Sequence, residues 1–200
     1  MRSLLYLLLA AILLPSGPLP AADKHIVLIA GKPSHPPGMH EFHAGLLLLQ
    51  QCLANTPGVK TTVHRNGWPE APDAFAGADA VVLYCDGGDK HPAIQADRRE
   101  ILRALAQKGV GLGFMHYGVE IPAKNGGPEF LQWIGGYYET NYSCNPMWSP
   151  DYQHFPDHPV ARGVQPFSNR DEWYFNMRWP ENIKGLTPIL TARPSSTVRG

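Results

Sequence analysis

The run Val110-Gly111-Leu112-Gly113-Phe114-Met115-His116-Tyr117-Gly118 constrains this chain more than any other stretch. It is apolar, spaced by glycines, and it stops at a histidine, which is the pattern of a buried strand giving way abruptly to a turn. In an open parallel sheet the carboxyl ends of the strands face the ligand crevice, so a polar residue at that point is placed for chemistry. Nucleophile elbows use the same strand-to-helix turn, surrounded by small residues. Here the reactive position holds His116. The alternative is a core histidine whose ring is satisfied by backbone groups.

The segments before this run alternate in type. Residues 25–31, 59–64 and 80–84 read as strands, the first and third as continuous apolar runs of the kind buried on both faces. Between them, the apolar positions Leu46, Leu49 and Leu53 predict a helix from Glu41 until Asn55-Thr56-Pro57-Gly58 stops it. Residues 94–108 set Ile94, Ile101, Leu102 and Leu105 against Asp97, Arg98, Arg99, Glu100 and Arg103, an amphipathic helix that Gly109 ends. Such alternation predicts an α/β fold, an open and mainly parallel sheet with helices on both faces. Past Gly118 the pattern weakens. A short helix is expected over residues 128–134, loops and short strands over 137–159, a strand-like run over 171–175, and another strand over 187–192.

Two hundred residues suit one domain, assigned to residues 23–200. Residues 1–22 have the form of a secretory signal peptide: Arg2, the apolar run Leu4 to Leu14, Pro15-Ser16-Gly17-Pro18, and the small pair Ala21-Ala22. That apolar run is too short to span a bilayer, which takes about 20 residues, so no membrane span is expected after cleavage and the mature chain is expected to be secreted or periplasmic. A formal net charge of +0 and a pI of about 7.1 leave no basic surface for a nucleic-acid backbone. Cys52, Cys85 and Cys144 form no CxxC pair, and neither a disulfide framework nor a zinc knuckle is implied. Cys52 and Cys85 are expected to be small buried apolar groups.

Polar residues collect where the strands end: Ser34, His35, His40, Glu41 and His43 after the first, Asp86 and Asp89 after the third, His116, Tyr117 and Glu120 after the fourth. All would converge on one crevice. His35, His40 and His43 form a candidate metal set, with zinc the natural ion for imidazoles. The plainer reading of that loop is a solvated or substrate-contacting rim. For Glu41 the plainer reading is an acid at a helix amino terminus. Asp171 and Glu172 precede an aromatic strand and must point to opposite faces, so one of them can face the crevice. Glu172 is the candidate partner that would orient His116 or raise its basicity, giving a general acid–base pair. The alternative is a solvated acid paired with Arg170 or Arg178. Neither a Gly-x-Ser-x-Gly nor a Gly-x-Cys-x-Gly elbow is present, and no glycine-rich phosphate loop opens a helix after the first strand. Aromatic residues crowd the second half, and their faces suit the apolar faces of sugar rings.

Five segments together resemble the ThuA-like (trehalose utilisation) proteins, whose fold is similar to that of class I glutamine amidotransferases. They are Ala30-Gly31-Lys32-Pro33-Ser34-His35 with Gly38-Met39-His40-Glu41-Phe42; Gly111 to Glu120; Trp133-Ile134-Gly135-Gly136; His158 to Gly163; and Asp171-Glu172-Trp173-Tyr174. The resemblance implies a flavodoxin-like sheet and a histidine, here His116, in place of the amidotransferase cysteine, so glutamine hydrolysis is not expected. It implies a role in trehalose or keto-sugar catabolism, as an isomerase, hydrolase or lyase without a Cys or Ser nucleophile. The candidate catalytic residues are then His116 and Glu172, with His35, His40, Glu41, Tyr117, Asp86 and Trp148 contacting a carbohydrate. The alternative is a non-catalytic extracellular carbohydrate-binding or scaffold domain. Two departures stand out. Phe114 is bulky where an elbow prefers a small residue, which predicts a looser turn. Members of the family also continue with a further strand and helix, so the domain is expected to be incomplete at its C-terminal end.

Overall fold

The structure, a computed structural model, describes residues 23–199, and the expected signal peptide lies outside them. Four parallel strands form the central sheet: β1 (Lys24–Ala30), β2 (Val59–His64), β3 (Ala80–Tyr84) and β4 (Gly111–Met115), in the order β2-β1-β3-β4. The chain leaves β1 for β2 on one side and then crosses to β3 on the other. The switch point between β1 and β3 is where an open sheet opens a crevice at its carboxyl edge.

Side-chain alternation along β1 sorts the core into two layers. Leu28 and Ala30 face the helix α1 (Phe42–Leu53), packing on Phe42 and Leu46. Val27 and Ile29 join Val81, Leu83 and Cys85 on the opposite face, against Leu105 of α2 (Arg98–Gln107) and Phe114. Helices therefore cover both faces, as the sequence predicts. Full burial of a side chain such as Leu28 or Ile29 is worth about 1.5–3 kcal/mol. No helix among the described residues is long and apolar enough to cross a membrane.

Three local expectations change. The amphipathic helix begins at Arg98, because Ala96 takes a left-handed backbone (φ 50°) that separates it from a preceding single turn, Pro92–Ile94. Residues 187–192 form no strand: Pro188 cannot donate to a ladder, and the chain runs on irregularly to the short helix α4 (Ser196–Arg199). Cys52 is exposed, since the buried side of α1 runs through Phe42 and Leu46 and turns Cys52 toward solvent. Cys85, in contrast, is fully buried as expected.

After β4 comes one turn of 3-10 helix, His116–Val119, and then α3 (Gly127–Trp133). Tyr137 and Tyr138 lie back across this region: Tyr138 N–H donates to the Val119 carbonyl (2.9 Å) and Ile121 N–H to that of Tyr138 (3.1 Å). Two short antiparallel pairs complete the fold. The strand β5 (Met147–Trp148) pairs with β8 (Asp171–Glu172), and β6 (Asp151–Tyr152) with β7 (Phe167–Ser168).

Candidate active site

His116 follows the last residue of β4 with φ 50°, in the left-handed region that non-glycine residues rarely occupy. The turn is elbow-like despite Phe114, because alternation sends the Phe114 ring to the core side, 4.5 Å from Phe130 and 5.7 Å from His91. His91 fixes the turn from below. Its Nδ1 accepts from Ala93 N–H (3.0 Å), so its Nε2–H donates to the Gly118 carbonyl (2.9 Å). Burial pulls its pKa down to about 4, making it a neutral structural group. Cys85 lies 3.8 Å from the same nitrogen, and burial raises its thiol far above the range in which a thiolate forms.

The loop after β1 brings a second histidine to the first. His40, also left-handed (φ 36°), points Nε2 at His116 Nε2 across 3.1 Å. His35 packs on His40 with ring centroids 3.8 Å apart, and the Tyr117 ring lies 5.3 Å from His40 and 5.9 Å from His35. Asp86, just past β3, closes this side. The Ser34 hydroxyl donates to Asp86 Oδ1 (2.7 Å), so it accepts from His35 Nδ1 (2.9 Å), itself 3.6 Å from that carboxylate oxygen. Glu41 and His43 stand apart from the cluster. The Glu41 carboxylate accepts from Gly38 N–H (2.7 Å) and so braces the loop that carries His40. His43 is on α1, its Nε2 buried without a partner.

Glu172 reaches the other side of His116. Its Oε2 is 3.5 Å from His116 Nε2, and Oε1 accepts from Asn145 Nδ2–H (2.9 Å), whose own Oδ1 accepts from Tyr138 O–H (3.2 Å). Arg178 is not its partner, being paired with Glu139 and lying over the Tyr142 ring. Trp148 supports β8 by donating its indole N–H to the Trp173 carbonyl (3.0 Å). The Tyr174 ring lies 5.4 Å from His116. Glu120 sits on the rim, accepting from the Thr140 hydroxyl (2.5 Å).

Desolvation dominates the electrostatics. It lowers the pKa of His40, helped by the neighbouring His35 and His116, and lowers that of His116 against the opposing pull of Glu172 and Asp171. Both rings are therefore neutral near pH 7, and across their shared contact one Nε2 donates and the other accepts. Burial raises the Glu120 carboxyl and the Tyr174 hydroxyl. A neutral imidazole beside a carboxylate can take up and return a proton. Two overlapping sets, His35/His40/Asp86 and His40/His116/Glu172, each bring their ligand atoms within 4.8 Å of one another, close enough to hold a metal ion.

A cleft of about 1050 Å³ adjoins this cluster only through Ser34 and Asp86. Gly31, Ser34 and Asp86 line one wall and Trp68, Arg98 and Leu105 another, so it follows the carboxyl ends of β1 and β3. Asn145 and Tyr174 are the members of this region that sequence patterning does not select as candidates. Glu120 is marked in advance by its position just after the fourth strand.

No protein-family model and no curated protein sequence matches the chain. Two solved structures share its fold. A ThuA-like protein from Parabacteroides merdae ATCC 43184 is 20% identical with a TM-score of 0.59, over 89% of this chain and 71% of that one. A ThuA-like protein from Bacteroides uniformis ATCC 8492 is 12% identical with a TM-score of 0.55, over 80% of this chain. The chain spans 64% of the length of the latter protein.

Proposed function

We propose, from the ThuA-like fold that this chain shares with those two proteins, that it acts in carbohydrate catabolism on an oxidised sugar, with His116 and Glu172 moving the proton. The observation that carries this reading is the placement of His116. A strained backbone at the end of a central strand holds a neutral imidazole 3.5 Å from a carboxylate, in a cluster that reaches the neighbouring cleft through Ser34 and Asp86. Residues held in sparsely populated backbone conformations cluster at sites where the strain serves function. On a keto sugar, the carbon next to the carbonyl carries an acidic hydrogen. His116 would remove that proton, Glu172 would stabilise the resulting imidazolium, and return of the proton at a neighbouring position or loss of a substituent would complete an isomerisation or elimination. His35, His40, Tyr117 and Asp86 would position hydroxyl groups. Export to the periplasm or medium belongs to the same proposal and rests on the leader-like residues 1–22.

Turnover of a 3-keto-glucoside by wild-type protein and by His116→Ala tests the reading. Loss of about two orders of magnitude in kcat, with unfolding behaviour unchanged, is expected. Unchanged turnover in the variant overturns the assignment. Sugar binding without turnover in either protein identifies the domain as a carbohydrate-binding module instead.

A further inference from the structure

We propose that His35, His40 and Asp86 hold a divalent transition-metal cation of the zinc class, at the boundary between the cleft and His116. One nitrogen of each imidazole and one carboxylate oxygen lie within 4.8 Å of one another, although the residues come from two different strand ends. Two imidazoles and one carboxylate are a donor set suited to zinc and its neighbours, and three protein ligands leave a coordination position open for substrate or water.

One feature points to a ligand at His40, which both sets share, and a second favours this set over the overlapping one. His40 Nε2 already faces His116, while His40 Nδ1 is buried and has no hydrogen-bond partner in the chain. A buried, unpartnered polar nitrogen is destabilising, and ligation would remove that cost. Glu172, in the other set, is engaged through both oxygens, by Asn145 and by His116. Ser34 holds the first set together: its hydroxyl touches both His35 Nδ1 (2.9 Å) and Asp86 Oδ1 (2.7 Å), keeping the imidazole and the carboxylate side by side. Ser34 and Asp86 also line the cleft, so an ion here would meet whatever occupies it. The role of that ion, holding a sugar oxygen while His116 moves a proton, rests on the carbohydrate reading; the binding of the ion does not.

Titration of the chelator-stripped full chain with Zn²⁺ by calorimetry, and with Co²⁺ by visible absorption, provides the test. One ion per chain is expected, with His35→Ala and Asp86→Asn each weakening binding by about tenfold or more and Glu172→Gln changing it by less than about threefold. Absence of binding by folded wild-type protein overturns the proposal. So does binding that Glu172→Gln abolishes and Asp86→Asn preserves, which would place the ion in the other set. Binding by the expected residues in a protein that turns over no sugar supports the ion site while removing the proposed function. Turnover by stripped protein that binds no ion does the reverse.

Discussion

His40 and His116, 76 residues apart in sequence, face each other through their Nε2 atoms at 3.1 Å. Two charged imidazoles could not share that contact, so the geometry requires at least one neutral ring, in agreement with the downward pKa shift that burial gives both.

Glu172 and Asp171 pull the His116 pKa upward and His35 pulls it downward. In chelator-treated protein, Glu172→Gln should therefore lower the His116 pKa further, and His35→Ala should raise the His40 pKa toward its ordinary value. Imidazole resonances followed by NMR across pH 4–8 give both values. Movement in the opposite direction would show that the rings are not neighbours as described.

His91 makes stability depend on pH. Its pKa is about 4 in the fold and near 6.5 when unfolded, so below pH 6.5 the unfolded chain binds the extra proton. The stabilisation is complete above about pH 6.5 and is lost as pH falls toward 4, by about 3 kcal/mol. Denaturant unfolding at a series of pH values should show this slope, and His91→Gln should flatten it. A His91 ring that protonates near pH 6 in the folded protein contradicts the prediction.

Gly87 permits the close approach of the β3 end to the turn after β4. A Cβ there would lie 2.5 Å from the Tyr117 carbonyl oxygen and 2.6 Å from Glu120 Cβ. Gly87→Ala should cost about 1–3 kcal/mol through overpacking. At Gly111 the nearest contact of an added Cβ is an ordinary 3.6 Å, from Ala80, so Gly111→Ala serves as the control. Equal midpoints in denaturant for the two variants would contradict this packing.

In the proposed reaction Asn145 acts as a positioning residue, since it joins Glu172 to Tyr138. Asn145→Ala should lower kcat on the keto sugar by about tenfold, the equivalent of one hydrogen bond of about 1.4 kcal/mol, with little change in KM. Glutamine at the same position, long enough to reach the carboxylate, should restore part of the rate. A loss confined to KM would move Asn145 from orienting Glu172 to binding substrate.

The sheet was legible because its signals are local. The runs at 59–64 and 80–84 are bounded by turn residues and become β2 and β3 without shift. Gly109, with φ 84°, ends α2 where its sequence position implies. The left-handed Ala96 left no such mark, since alanine is a strong helix former and only the packing of the 3-10 turn before it breaks the helix. Cys52 falls outside the expected buried face because every position from Leu46 to Leu49 is apolar, which blurs the boundary of that face.

The sequence by itself determined the alternating α/β order, the arrival of His116 at the end of a central strand, and Glu172 as its candidate partner, because apolar periodicity and turn chemistry act over a few residues. Tertiary structure alone decided that His40 meets His116, that Asp86 and not His43 accompanies His35, that Asn145 steadies Glu172, and that Phe114 leaves the elbow-like turn intact. Those contacts join residues tens of positions apart, and their geometry depends on how strands, straps and loops pack, which no local pattern encodes.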